Sequence, residues 1–208
     1  QFSDVDLLGT FIDNHDNPRF LYYTGTGDAA IRRYKNALTM TLFTAGIPII
    51  YYGSEQGYSG GYDPANRESL WPNYDTDADL YNFISVAVAG RKTSLLSNST
   101  HTHTHSHSSA STGTSTPYTQ VQRYVSEDLY AFTRGDALVC LTNSGGGGEV
   151  SVDIAFLPET YTEGTTLCNL LDASEDCVVV GVDGVSVDLS EGLPKVYFPS
   201  KSTSKSTH

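Results

Sequence analysis

Residues 97–116 read SNSTHTHTHSHSSASTGTST, a low-complexity run with no means of building a core, and they divide the 208-residue chain in two. Before the break, Ile31, Tyr34, Leu38, Leu42 and Ala45 recur at helical spacing. After it, from Tyr118 onward, the apolar period is two. Such a switch predicts an α/β unit followed by an all-β unit. The expected divisions are residues 1–97, a Ser/Thr/His-rich linker or insertion at 98–116, a β-sandwich at 117–200 and a tail at 201–208.

In the first unit Asp28 is a plausible N-cap for a helix running through Ala45, with Gly46 as its stop. IPIIYY (47–52) is a near-continuous apolar run of the kind found in parallel strands buried on both faces. A Gly-rich loop follows, and Asp77 or Asp79 then opens a second helix. That helix carries Leu80, Phe83, Ile84, Ala87 and Val88 on one face and Arg91-Lys92 at its end. Strand–helix–strand–helix is a piece of a βα barrel or of a doubly wound sheet. In the second unit LYAFTR, ALVCLTN, EVSVDIAF, CVVVGVDGVSVDL and PKVYF predict an antiparallel sandwich of about five to eight strands. Val178–Leu189 reads as a hairpin turning at Asp183-Gly184, with Val178, Val180 and Val182 facing Val185, Val187 and Leu189.

Composition narrows the function. A formal net charge of −12 argues against nucleic acid and anionic membranes, since both need a basic surface, and suits a neutral ligand. No run approaches the roughly 20 apolar residues that span a bilayer. The chain begins at Gln1 and carries no signal peptide, so a preceding N-terminal segment is expected. Of three cysteines, Cys168 and Cys177 bracket a short polar loop and are the candidate disulfide, with Cys140 a buried free thiol; sequence leaves the connectivity open. Asn98-Ser99-Thr100 is a glycosylation acceptor triplet if the protein is secreted. His101, His103, His105 and His107 alternate with Ser and Thr, which suits a solvated loop better than a metal site.

The chemistry concentrates in FIDNHDNPRF (11–20), where a short apolar stretch ends abruptly in Asn14, His15 and Asp16. A buried strand that delivers polar groups at its C-terminal end is how α/β barrels build active sites. Taken alone, Asp16-Asn17-Pro18 is equally a plain turn. Together with GIPIIYYGSEQ (46–56) and GGYDPANRES (60–69), in this order, the motif resembles the α-amylase family of glycoside hydrolases in its fungal form.

That resemblance implies the last two βα units of a (β/α)8 TIM barrel, strands seven and eight, followed by the antiparallel β-sandwich called domain C. It implies a retaining cleavage of internal α-1,4 bonds in starch or glycogen, which needs a nucleophilic carboxylate and a protonated carboxyl as general acid. Asp16 then corresponds to a third carboxylate that stabilises the transition state and holds sugar hydroxyls, with His15 donating to the same sugar and Asn14 orienting its neighbours. Asp63 and Arg67 correspond to contacts with glucose units on the non-reducing side of the cut, although Arg67 in a salt bridge to Glu68 or Asp63 is the competing reading. Tyr58, Tyr62 and Trp71 are sugar-stacking candidates or simply loop or core residues, and Glu55 is read as structural.

The family's nucleophile and general-acid motifs are not found in this sequence, and its calcium ligands map elsewhere too. The chain is therefore expected to be a C-terminal portion, inactive alone, of a secreted, monomeric enzyme that uses calcium outside these residues. An α-glucosidase or transglycosylase of the same superfamily, or a non-catalytic glucan-binding remnant, are the alternatives.

Overall fold

The computed structural model describes residues 4–96 and 119–200, apart from 147, 156, 159, 173 and 175. Strand β1 (Gly9–Thr10) pairs in parallel with β2 (Ile47–Pro48), and the connection between them holds α1 (Phe20–Thr24) and α2 (Asp28–Phe43). α3 (Asp79–Leu96) follows the Gly-rich loop. Parallel neighbours joined through helices make a βαβ unit. The helical spacing in α2 places Tyr34 and Leu38 on one buried face, where they meet Leu21 of α1 and Leu80 of α3.

Asp28 is the first residue of α2 and Gly27 occupies the cap, so the carboxylate lies in the first turn, beside the positive end of the helix dipole. The helix ends at Phe43, two residues short of the expected Ala45. Its final carbonyls are held from two sides. Arg91 of α3 donates to the carbonyls of Leu42, Thr44 and Gly46. Arg134 donates to the Thr44 carbonyl at 2.6 Å. Gly46 has φ 109°, and a Cβ there would lie 2.6 Å from the Leu8 carbonyl oxygen, so glycine lets the chain pass β1 closely. Burial, with Arg134 alongside, pulls the Arg91 guanidinium down to about 10. Arg91 thus works from mid-helix, because α3 runs on to Leu96.

IPIIYY departs from expectation. Only Ile47–Pro48 is strand, and Ile47 and Ile49 are 52% and 49% exposed where burial on both faces was expected. Among the described residues β2 has a hydrogen-bonded neighbour on one side only, β1, and the side chains of Ile47 and Ile49 have no layer packed over them. Leu7 and Phe11, flanking β1, are likewise exposed.

The second unit has eight strands among the described residues: β3 (Val121–Val125), β4 (Leu129–Arg134), β5 (Ala137–Thr142), β6 (Val150–Ile154), β7 (Thr166–Asn169), β8 (Cys177–Val179), β9 (Val185–Leu189) and β10 (Lys195–Pro199). Six form one antiparallel sheet in the order β3-β4-β5-β10-β7-β8, while β6 and β9 pair separately. Leu138, Cys140, Ile154, Leu167, Val187, Leu189 and Tyr197 fill the space between the two sheets. The opposite face of the large sheet, with Phe132, Val139 and Val196, packs on Leu42, Phe43 and Ala87 of the helices. β5 is therefore buried on both faces, which explains its unbroken apolar run.

The Val178–Leu189 hairpin does not form as expected. β8 pairs with β7 and β9 pairs with β6, leaving only the Gly181–Gly184 bridge between the two arms. Val180 and Val185 lie in the inter-sheet core while Val182 is exposed, so the connection crosses from one layer to the other. Cys168 and Cys177, directly opposed in β7 and β8, form a disulfide. Cys140 is a free thiol, and its complete burial pushes it up to about 12. Asn98 and the alternating histidines lie outside the described residues.

Candidate functional site

The loop after β1 is shaped by one side chain. Asn14 Oδ1 accepts from the backbone N–H of Asp16 (2.9 Å) and of Asn17 (3.0 Å) and from Asn17 Nδ2 (3.1 Å), closing an Asx turn. The turn pushes the next two side chains outward. His15 and Asp16 are 64% and 72% exposed, with His15 Nε2 3.3 Å from Asp16 Oδ1.

Beneath this exposed rim lies a buried polar floor. Asp13 accepts from the Tyr34 hydroxyl (2.5 Å), the Ser54 hydroxyl (3.0 Å) and the Phe20 backbone N–H (2.8 Å). Burial, reinforced by the Asp13 carboxylate, drives the Tyr34 phenol far upward, so it stays protonated and donates. Arg19 is fully buried; its Nε meets Glu68 Oε2 at 2.9 Å and its Nη1 donates to the Tyr52 carbonyl at 2.8 Å. Its guanidinium lies over the rings of Tyr51, Tyr52 and Tyr58, at 4.5 to 5.5 Å from their centroids. Glu68 Oε1 also accepts from the Gly60 N–H, and the Arg19 N–H bonds the Gly60 carbonyl, so the two loops are stitched edge to edge.

The second loop brings Asp63 and Arg67 to the same rim. Arg67 Nε sits 3.3 Å from Asp63 Oδ1 and equally 3.3 Å from the His15 carbonyl oxygen. Between them the buried Asn66 donates through Nδ2 to the carbonyls of His15 and Asn17, both at 2.9 Å. Arg67 therefore makes the ion pair to Asp63 that its spacing allowed, while Glu68 is taken by Arg19. The Arg67–Asp63 pair is exposed and contributes little to stability, which leaves both groups accessible to a ligand.

The remaining candidates separate. Tyr58 donates to the Ser69 carbonyl at 3.1 Å and packs on Arg19, so it is part of the floor. Tyr62 is exposed beside Tyr22, and Trp71 is 94% exposed. The bracing assigned to Glu55 is done by its neighbours, with Ser54 on Asp13 and Gln56 exchanging two hydrogen bonds with Asp75. Asp13, Arg19 and Asn66 were not singled out from sequence. A polar residue inside an otherwise apolar stretch (Asp13) and an amide inside the DPANRE loop (Asn66) were the available signals. Among the described residues no three His, Cys, Asp or Glu side chains converge as a cation site. The calcium implied by the resemblance therefore has no fitting ligand set among them.

Chemically, the rim offers a carboxylate, an imidazole, a second carboxylate and a guanidinium on a rigid base, a set suited to gripping several hydroxyls of a neutral ligand. Residues 1–61 match the family model for the α-amylase catalytic domain. The chain is 36% identical over 204 residues to α-amylase 1 of Schwanniomyces occidentalis, and 33% identical over 201 residues to the α-amylase of Saccharomycopsis fibuligera. These matches cover 95% and 96% of this chain and 36% of each relative. The solved α-amylase of Malbranchea cinnamomea superposes with a TM-score of 0.77 at 35% identity, covering 95% of this chain and 38% of that one. The chain thus spans about a third of the length of the curated relatives it matches.

Proposed function

We infer, from the chain's relationship to the fungal α-amylases, that it supplies the sugar-gripping side of a retaining glycosidase acting on internal α-1,4 bonds of starch or glycogen. The observation that carries this reading is the locking of the Asp16 loop to the Asp63–Arg67 loop through Asn66. Two separate loops hold their polar groups on one rim, as a chain of sugars requires.

In this reading Asp16 bonds hydroxyls of the sugar at the cut, and its negative charge stabilises the oxocarbenium-like transition state. His15 donates to that same sugar. Asp63 and Arg67 hold glucose units on the non-reducing side. Asn14 sets the turn and touches no substrate, as its three hydrogen bonds to Asp16 and Asn17 suggest. The nucleophile and general acid come from segments other than residues 1–208, so this chain alone is inactive. The seventh and eighth units of a (β/α)8 barrel are assigned to the region around β1 and β2, and domain C to the sandwich. An extracellular location fits the Cys168–Cys177 disulfide, which oxidising compartments favour.

Affinity electrophoresis in gels containing soluble starch tests the reading. The chain is expected to be retarded, and D63N/R67Q to migrate as in a gel without starch. Equal retardation of the two proteins would refute the assignment of these residues.

A further inference from the structure

We propose that Tyr22, Tyr23 and Tyr62 form an outer platform for the α-glucan, extending the gripping rim by further glucose units beyond Asp63 and Arg67. The inference rests on the reading of Asp63 and Arg67 as glucan contacts. Tyr22 and Tyr23 stand on α1, directly after the Asp16 loop, and Tyr62 precedes Asp63 in the second loop. Their rings converge although they come from a helix and a separate loop: Tyr22 meets Tyr62 at 6.1 Å and Tyr23 at 5.4 Å between centroids, both edge to face. All three remain at least half exposed. Clustered aromatic surface left in water is a feature of ligand-binding grooves and interaction sites.

The platform is supported from below. A Cβ on Gly61 would lie 2.8 Å from the Tyr22 ring, so glycine at this position lets the ring lie against the loop backbone. Edge-to-face packing fixes the rings relative to one another, which reduces the ordering cost on binding. The chemistry of the occupant follows from the surroundings. Phenolic rings offer apolar faces for pyranose C–H groups and hydroxyls for sugar hydroxyls. A formal net charge of −12 disfavours polyanions. Tyr62 is the chain neighbour of Asp63, which sets the ring cluster next to the residues read as glucan contacts.

Calorimetric titration of the 208-residue chain with maltotriose and maltoheptaose tests this against Y22S/Y62S, Tyr62→Ser alone and D63N/R67Q, with thermal midpoints as the folding control. Y22S/Y62S is expected to lose about tenfold in affinity for maltoheptaose while leaving maltotriose unchanged. Tyr62→Ser, which keeps Tyr22 on Gly61, is expected to lose part of that. D63N/R67Q is expected to weaken both ligands. If D63N/R67Q weakens both and the tyrosine variants change neither, the platform is overturned and the glucan reading stands. Equal losses for both ligands in the tyrosine variants would also overturn it, since the rings would then only support the loop. A shift in sedimentation with unchanged glucan affinity would identify a self-association patch instead. Absence of binding by the unmodified chain would overturn the platform and the glucan reading together.

Discussion

In the sandwich, β9 alternates cleanly between buried Val185, Val187 and Leu189 and exposed Ser186 and Asp188, whereas in and just after β2 the large side chains of Ile47 and Ile49 stand half in water. The two regions share the same kinds of residue and differ in what covers them. The sandwich supplies its own cover, with one sheet on the other and the helices on the outer face. Next to the strand pair, Ile12 and Ile50 pack on the helix cluster of Leu21, Tyr34, Leu38 and Leu80, while Ile47 and Ile49 stay half exposed. The rim carrying Asp16 and Arg67 is held less by apolar burial than by a polar floor, Asp13 with Tyr34 and Ser54, and Arg19 with Glu68.

Three substitutions sharpen the contrast. Phe132→Ala empties a fully buried site where the large sheet meets the helices, and is expected to cost about 3–5 kcal/mol in urea unfolding. A cost below about 1 kcal/mol would show that the two regions are not packed on each other there. Asn36→Ala removes the side chain that accepts from the Thr142 N–H and donates to the Gly192 carbonyl, joining helix α2 to the sandwich. Leaving both groups buried and unpaired is expected to cost about 2–4 kcal/mol and to split one unfolding transition into two, read by circular dichroism at two wavelengths. Retention of one sharp transition would mean that the regions couple by other contacts. Ile47→Thr, at the half-exposed strand, is expected to stay within about 0.5 kcal/mol. A larger loss would mean that this face is covered in solution.

What was legible in the sequence follows the same divide. Period and capping residues located α2 and α3 to within a few positions, because amphipathic helices carry their own pattern. Asn14, His15, Asp16, Asp63 and Arg67 were legible as a motif, and the structure brings their loops to one rim. Strand partners were not legible. The alternation in Val178–Leu189 is the same whether its arms pair with each other or with β7 and β6, so the pattern marks Val180, Val185, Val187 and Leu189 as inward without setting their partners, and it misplaces Val182, which is exposed. The role of Arg19 was hidden for a related reason. A buried arginine and a ligand-binding arginine look alike in sequence, and only the distance to Glu68 and the surrounding tyrosines separates them. Asp13, one residue before the motif, is chemically as plausible a site carboxylate as Asp16; burial beneath the loop makes it part of the floor.

We infer that this chain holds the gripping side of a glucan-cleaving site without the bond-breaking pair. Proton NMR of maltoheptaose mixed with the purified 208-residue chain tests it most directly, because the anomeric signals report binding and cleavage in one spectrum. Broadened glucan signals, lost on D63N/R67Q substitution, are expected, with no growth of new reducing-end signals over time. Steady growth of reducing-end signals, or no broadening at all, would contradict the inference.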